Sequence, residues 1–341
     1  MNTPPKKTLP PWVWAIIGLV VIGITLALFF TRRFPEPGSS MLYDVSAYEA
    51  VEEQLVIYKE SQRIALPLEE AYGVTINQEN QFLIVGDSLL IVMDDEGNEI
   101  SRRSLDPAPR CVETAPDGSL YISAMAQIMV LPSPEGEVSL WETLDDNTWI
   151  TSLAASENFV YAADSGNARV LQYDKSGTLL REIGGKNDAE RPKQFIVPSP
   201  YFDVAIDTMD SLWIANPGRL GVENYRHDGS LASTWYHPGM AIDTFTGCCN
   251  PAHFTFKANN ALVTMEKGIN RVKVFDAVHE FQGVVATPKY LNEGWTPTGE
   301  TLELAPIRDL AIDRQDRIVV LHGPLHCLLV FEEIDQGAQL E

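Results

Sequence analysis

The sequence predicts an all-β fold, a six-bladed β-propeller, preceded by one N-terminal transmembrane helix. A pattern of apolar runs and polar or glycine-containing turns recurs along the chain, with copies about 40 to 55 residues apart, the spacing of four-stranded blades. A separate uncharged run near the N-terminus predicts the helix. The six copies of the repeat begin near Tyr72, Arg110, Ile150, Tyr201, Pro251 and Ile307.

The third copy, residues 150–184, shows the repeat most clearly. Polar and apolar residues alternate from Arg169 to Tyr173, as they do in a half-buried strand. The turn Lys175-Ser176-Gly177 follows directly, which is the signal of a hairpin. A short strand unit of this kind cannot bury both of its faces alone, so we expect the six copies to stack around an axis.

The third copy also resembles the NHL repeat. It carries the Asp-x-x-Asn-x-Arg-Val core of that family as Asp164, Asn167, Arg169 and Val170. Units four and five are similar but looser, with Asn216 and Gly221 in place of the Asp and Arg of unit four, and Arg271-Val272 in unit five. With the N-terminal anchor, the chain resembles the membrane-anchored bacterial type of NHL-repeat propeller. The resemblance implies the propeller fold, but it leaves the function open, because NHL-like propellers include binding modules, lyases and lactonases.

The sixth copy ends after three predicted strands, at Phe331. Two segments ahead of the first copy, 55–60 and 63–66, resemble the later half of a blade. We therefore expect an N-terminal hairpin segment to complete the last blade, which removes an exposed sheet edge. The propeller is predicted to span 43–334, and 335–341 is predicted to be a tail.

The run from Trp12 to Phe30 contains 19 residues without a charge. A helix of that length crosses the hydrocarbon core of a bilayer. Basic residues flank the run on both sides, and a single anchor after a short tail favours an outside location for the large domain. The alternative is a cleaved signal peptide, although no A-x-A site follows. We predict a short cytoplasmic tail (1–11), a transmembrane anchor (12–31) and a linker (32–42). The protein is predicted to span the cytoplasmic membrane once, with its propeller on the extracytoplasmic, or periplasmic, side.

The formal net charge of the chain is -22. The first 33 residues contain four basic residues and no acid, so the remainder carries -26. A surface this acidic repels the phosphate backbone of nucleic acids, so we do not expect a nucleic-acid partner.

Alignment of the six copies places equivalent residues in two rings. The first ring, on the innermost strands, is predicted to line the axial mouth, and Cys111 and His253 would face each other across it. The second ring lies just past the next strand. The first ring contains Gly73, Cys111, Thr151, Asp203, His253 and Asp309, and the second contains Gly86, Ala124, Asp164, Asn216, Glu266 and His322.

Two chemical interpretations of the first ring stay open. His253 with Asp203 and Asp309, or with a cysteine, offers imidazole, carboxylate and thiolate ligands that suit zinc or copper. The alternative is a set of strand-end residues in a polar channel, since no compact ligand spacing is present. A metal ion is therefore a possible cofactor, and no other cofactor is indicated.

The stretch Gly247-Cys248-Cys249-Asn250-Pro251 precedes His253 by a few residues. Adjacent Cα atoms lie about 3.8 Å apart, whereas ordinary disulfides need about 4.4 Å or more. A vicinal bridge would therefore be strained and easily reduced. The alternatives are a pairing with Cys111 or Cys327, or two free thiols. We expect Cys248, Cys249 and Asn250 to lie at the axial mouth together with His322.

The clear scaffold and the anchor, without a catalytic motif of known spacing, favour a protein- or ligand-binding or assembly module. Its partners would be the membrane, through the N-terminal helix, and a protein or small ligand. The alternative function is a metal-dependent lyase or hydrolase, or a redox protein, with an axial site near Cys248-Cys249 and His253.

Overall fold

The computed structural model describes residues 46–185, 195–295 and 306–335, together with Pro10, Trp12 and Val13. The chain divides into two units, Met1–Val45 and Ser46–Glu341. The predicted anchor and linker lie outside the described residues except for Trp12 and Val13, and so does the tail after 335. No helix in the described part of the chain is long and apolar enough to span a bilayer.

The second unit is a six-bladed β-propeller, so the predicted all-β fold is confirmed. It contains six antiparallel sheets of four strands each. In the described part of this unit, helix α1 (Ser46–Glu49) and the 3-10 turn Glu53–Leu55 precede the strands. The 3-10 turn Pro217–Arg219 and helix α2 (Pro288–Leu291) lie between strands. The first strand of the chain, β1 (Tyr58–Ala65), belongs to the sixth sheet.

The first three blades follow β1 in chain order, and their strands run from the innermost to the outermost. Blade one contains β2 (Ala71–Ile76), β3 (Phe82–Gly86), β4 (Leu89–Met93) and β5 (Glu99–Ser104). Blade two contains β6 (Cys111–Thr114), β7 (Leu120–Ala124), β8 (Gln127–Leu131) and β9 (Ser139–Leu140). Blade three contains β10 (Ile150–Ala155), β11 (Phe159–Asp164), β12 (Arg169–Asp174) and β13 (Leu179–Gly184).

The last three blades have the same order. Blade four contains β14 (Val204–Ile206), β15 (Leu212–Asn216), β16 (Gly221–Tyr225) and β17 (Leu231–Tyr236). Blade five contains β18 (His253–Phe256), β19 (Leu262–Glu266), β20 (Arg271–Phe275) and β21 (Phe281–Ala286). Blade six contains β22 (Ile307–Ile312), β23 (Ile318–His322) and β24 (Cys327–Glu333), followed by β1 as its outermost strand.

The sixth blade joins the two ends of the propeller. β1 pairs antiparallel with β24 from Tyr58↔Glu333 to Ala65↔Cys327, with a register shift between Glu60 and Gln62. The N-terminal segment thus contributes one strand rather than the expected hairpin. The innermost strands β2, β6, β10, β14, β18 and β22 each contact the next one around the ring, and β22 contacts β2.

Six apolar clusters lie between adjacent blades, one at each interface. Successive residues of a strand point to opposite faces of the sheet, so each central strand supplies two clusters. In β3, Phe82 and Ile84 pack towards blade six, whereas Leu83 and Val85 pack towards blade two. Central strands such as β3 are therefore buried along their whole length, while outer strands such as β5 are largely exposed.

The predicted turn after β12 is built on Asp174. Its carboxylate accepts hydrogen bonds from the amides of Ser176 (2.9 Å) and Thr178 (2.9 Å). Gly177 has φ +88, and a Cβ there would approach the ring of Trp141 to 2.6 Å. Glycine is required for both reasons. The turn 94–97 after β4 has the same Asp-x-x-Gly pattern.

Candidate functional site

A polar cavity lies on the propeller axis, between the six innermost strands. Its volume is about 100 Å³, and all six innermost strands or the residues just before them line it. We call it the axial cavity. Five members of the predicted first ring line it, with Glu113 and Arg308 in addition. Those five are Cys111, Thr151, Asp203, His253 and Asp309.

Two carboxylates of the axial cavity join neighbouring blades. Asp203, before β14, accepts hydrogen bonds from the amides of Val204 (3.0 Å) and Phe254 (2.8 Å). Asp309, in β22, accepts from the amides of Leu310 (2.8 Å) and Val74 (2.9 Å). In each case the second amide belongs to the next blade. These carboxylates therefore satisfy inner-strand backbone groups that face the axis.

Hydroxyl side chains make the same kind of link elsewhere in the ring. The hydroxyl of Thr75 accepts from the amide of Thr114 (3.2 Å), and that of Thr151 donates to the carbonyl of Phe202 (2.6 Å). Gly73 allows blades one and two to approach closely, since a Cβ there would lie 3.0 Å from the Cα of Cys111. Part of the predicted ring is thus structural.

His253 faces the axial cavity at the start of β18. Its Nδ1 lies 3.7 Å from a carboxylate oxygen of Asp203, and its ring meets Tyr201 edge-on at 5.8 Å. Burial lowers the pKa of His253, but Asp203 and then Asp309 outweigh burial, so its pKa lies above the ordinary value. An imidazolium beside a carboxylate can hold or transfer a proton at the cavity wall.

Two carboxyl groups of the axial cavity titrate near neutral pH. Burial, with repulsion from Asp309 and Asp203, raises the pKa of Glu113 to about 8. Burial and the charge of Asp203 raise the pKa of Asp309 to about 7, although His253 and two backbone amides oppose the rise. The cavity therefore exchanges protons in the physiological range, which is common at functional sites.

Cys111 does not supply a reactive thiolate. It is buried, and its Sγ lies 2.9 Å from the hydroxyl of Ser123. Burial raises the pKa of Cys111 to about 12. The group is a neutral thiol at physiological pH, so it is a poor nucleophile and a poor metal ligand.

Within the described residues, no group of three or more His, Cys, Asp or Glu side chains is arranged to hold a metal ion. Asp203 and Asp309 direct their oxygens to backbone amides, as described above. The sequence-predicted ligands His253, Asp203 and Asp309 are thus neighbours in one cavity without a coordination geometry.

The polar members of the second ring do not line the axial cavity. Asp164, Asn216, Glu266 and His322 instead bond to the loop that leads into their own blade. His322, fully buried, bonds through Nε2 to the carbonyl of Leu291 (2.8 Å) and does not line the axial cavity. Asp164, Asn216 and Glu266 accept amide hydrogen bonds from Trp149, Ile196 and Thr246.

Cys248, Cys249 and Asn250 form part of the loop that leads into β18, and none of them lines the axial cavity. Both cysteines are free, with their sulfur atoms 3.2 Å apart. Cys248 is exposed and Cys249 is buried. A hydrogen bond with Cys249, together with burial, raises the pKa of Cys248. Cys111 and Cys327 are also free and buried.

Sequence reasoning missed Glu113 and Arg308. Glu113 lies two positions after Cys111 on the same strand, and side chains two apart share a face. Strand periodicity would therefore have placed it on the axis. Arg308 precedes Asp309 on β22, and no repeat signal marks it.

Comparison with solved structures supports the fold and the class of architecture. A streptogramin B lyase has a TM-score of 0.58 at 11% identity, covering 83% of this chain and 100% of that one. Virginiamycin B lyase from Staphylococcus aureus has a TM-score of 0.50 at 14% identity, covering 82% and 89%. A structural-genomics protein of unknown function from Bacteroides thetaiotaomicron VPI-5482 has a TM-score of 0.58 at 11% identity, covering 80% and 71%.

No protein-family model and no curated protein matches the chain. At these identities the likeness extends to the fold alone. The fold and the site together define a six-bladed β-propeller with a polar cavity on its axis.

Proposed function

We propose that this chain is a membrane-tethered, extracytoplasmic propeller of NHL-like type that acts as a binding module, and that its axial cavity receives a protonated amine. The amine would belong to a small ligand or to a lysine side chain of a protein partner. The acidic lining of the axial cavity carries this proposal.

Charge favours a cation in the cavity. Three carboxyl groups line it, Glu113, Asp203 and Asp309, against the guanidinium of Arg308 and the imidazole of His253, whose pKa is raised. A cation about 4 Å from one carboxylate gains about 4 kcal/mol at an effective dielectric constant of about 20. Part of that gain offsets the loss of hydration of both groups.

Size decides which part of a ligand can enter. The cavity holds about 100 Å³, whereas pockets that enclose drug-sized ligands have about 300–1,000 Å³. The cavity therefore suits one small polar group, and the rest of the ligand would remain outside. This favours an ammonium head group over a compact whole substrate.

The titration of the cavity links binding to protons. Glu113 and Asp309 have raised pKa values of about 8 and about 7. An ammonium ion favours their ionised forms, so binding at neutral pH would release protons. A neutral ligand would have no such effect, and this difference makes the ligand class testable.

The uncharged run 12–30, flanked by basic residues, supports the tether, and the short polar tail before it favours an extracytoplasmic propeller. An acidic domain of this kind suits cationic partners. Protease added to spheroplasts, whose outer membrane has been opened, tests the topology. Loss of the propeller is expected, and protection until the spheroplasts are lysed would place it on the cytoplasmic side.

Calorimetric titration of the full-length chain with n-butylammonium tests the amine site. We expect one site per chain, and an affinity at least about tenfold lower in Glu113→Gln, which removes one charge and keeps the shape. Glu182→Gln, an exposed carboxylate of β13 paired with Arg169, is the matched control. No binding, or equal binding by Glu113→Gln, would contradict the proposal.

A lyase is the second candidate function, because His253 beside Asp203 offers an acid–base pair at the cavity wall. The structural neighbours that are named lyases make streptogramin B antibiotics the first substrates to test. Turnover of virginiamycin B that is lost in His253→Ala would favour the lyase. Stoichiometric metal in the purified chain, also lost in His253→Ala, would favour the metal-dependent form.

A further inference from the structure

The axial cavity does not use the adjacent cysteines in the loop that leads into blade five. Cys248 is exposed and Cys249 is buried beside it, with a sulfur–sulfur distance of 3.2 Å. Neither residue lines the axial cavity. An exposed thiol and a second thiol within contact distance form a pair that the proposed amine binding leaves unexplained.

The loop that carries the pair is fixed at both ends. The side chain of Asn250 donates to the carbonyls of Thr246 (2.6 Å) and Lys267 (3.2 Å) and accepts from the amide of Lys267 (2.9 Å). The amide of Thr246 donates to the buried carboxylate of Glu266 (3.2 Å). The loop is therefore closed across its base, which fixes the positions of the exposed Cys248 and the buried Cys249.

The tip of the loop has room to change conformation. Gly247 has φ +83, and no atom lies within 4 Å of the position that a Cβ would occupy. Glycine adopts several backbone conformations at low cost. The tip can therefore adjust between the dithiol and a bridged form while its base stays in place.

The other two cysteines are poor alternatives as partners. Cys111 is buried at the start of β6 and contacts Ser123, and Cys327 is buried at the start of β24, paired with Ala65 of β1. Each of them is held in an ordered sheet, and a disulfide needs Cα atoms closer than about 7 Å. Cys248 and Cys249 already meet.

We propose that Cys248 and Cys249 form a thiol–disulfide redox site that exchanges with low-molecular-weight disulfides. Cys248 loses its proton and attacks one sulfur of the small disulfide. The S–S bond of the small disulfide breaks, and the leaving thiolate takes up the proton and departs as a small thiol. Cys249, after loss of its proton, attacks the sulfur of Cys248, and the second small thiol leaves. Two protein S–H bonds are converted to one S–S bond, and the small disulfide accepts the two electrons and two protons.

This site is independent of the proposed amine binding and adds a second activity to the chain. A bridge between adjacent residues is strained, since their Cα atoms lie about 3.8 Å apart and ordinary disulfides need about 4.4 Å or more. Strained, exposed disulfides are the easily reduced ones. The pair is therefore suited to reversible exchange rather than to permanent stabilisation.

Equilibration of the full-length chain with mixtures of reduced and oxidised glutathione, followed by alkylation under denaturing conditions, tests the site. The chain has four cysteines. We expect the number of alkylated thiols to fall from four to two in one step. Mass spectrometry should then find the peptide that contains Cys248 and Cys249 without alkylation and two hydrogens lighter than its dithiol form. Treatment with a reductant should restore the dithiol form.

Three variants make the result specific. Cys249→Ser is expected to trap a glutathione adduct on Cys248, while Cys248→Ser reacts more slowly because Cys249 is buried. The control Cys327→Ser still loses two thiols, from three to one. Four retained thiols in the wild type, a mixed disulfide without closure, or a bridge to Cys111 or Cys327 would each overturn the proposal.

Discussion

Glu113 offers the sharpest test of the electrostatics of the axial cavity. Its carboxyl group lies among Asp309, Asp203 and apolar strand residues, with one long hydrogen bond of 3.4 Å from the hydroxyl of Thr75. The protonated form suits this environment better than the ionised form. Glu113→Gln replaces the group with a neutral side chain of the same shape, so it removes the cost of ionisation and little else.

The size of the effect follows from the pKa of Glu113. Its pKa rises from 4.5 to about 8 on folding, and each unit corresponds to about 1.4 kcal/mol. The upper limit for the gain in unfolding free energy of Glu113→Gln at high pH is therefore about 5 kcal/mol. Glu113 is partly exposed to the cavity, and Asp309 shares the repulsion, so we expect about 2–3 kcal/mol.

The difference in stability between Glu113→Gln and the wild type depends on pH. For an acid with a raised pKa in the folded state, stability is complete below the unfolded pKa and is lost as pH rises through the folded pKa. The wild type therefore loses stability between about pH 4.5 and pH 8, relative to Glu113→Gln. At pH 4.5 the two proteins should unfold with nearly equal free energies, and above pH 8 the variant should be more stable.

Urea unfolding followed by tryptophan fluorescence at pH 4.5 and pH 8.5 measures this difference. Glu182→Gln, at the exposed position used above, should change the unfolding free energy by less than about 0.5 kcal/mol at both values. Equal stability of Glu113→Gln and the wild type at pH 8.5, or a less stable variant, would refute the reasoning.

Further predictions concern the cavity wall and the ring. Asp203→Ala is expected to lower the unfolding free energy by about 1–3 kcal/mol, because two inner-strand amides lose their acceptor. Asp203→Asn keeps one carbonyl oxygen and should lower the unfolding free energy by less in the same urea assay. The affinity for n-butylammonium should rise between pH 6 and pH 8 as Glu113 and Asp309 ionise, and calorimetry in two buffers should detect released protons; pH-independent binding would exclude this coupling. Deletion of residues 1–66 removes β1 and leaves β24 as an open edge, so the product should aggregate, whereas deletion of 1–45 should leave a monomer in gel filtration.

The repeats predicted the fold well because each blade is encoded locally. Predicted blade starts at Ile150 and Ile307 are the first residues of β10 and β22, and the start near Tyr201 is three residues before β14. Apolar alternation fixes the strands, and the interval between copies fixes the number of blades. The single closing strand β1 was harder to predict because a lone edge strand carries little pattern.

The candidate site was predicted only in part. Strand register brought Cys111, Asp203, His253 and Asp309 to the axis, since the pleat determines which side chains share a face. The same alignment could not show that His322 points towards a loop. It also could not orient Cys248 and Cys249, because loop side chains follow local hydrogen bonds, here those of Asn250, rather than a repeat.

The most direct test of the account is a crystal structure of the chain soaked with n-butylammonium at pH 8. The account predicts one ammonium nitrogen in the axial cavity, within hydrogen-bond distance of Glu113 and of Asp203 or Asp309, with the alkyl chain directed out of the mouth. An amine bound elsewhere, or a cavity occupied by a metal ion that the amine does not displace, would contradict it.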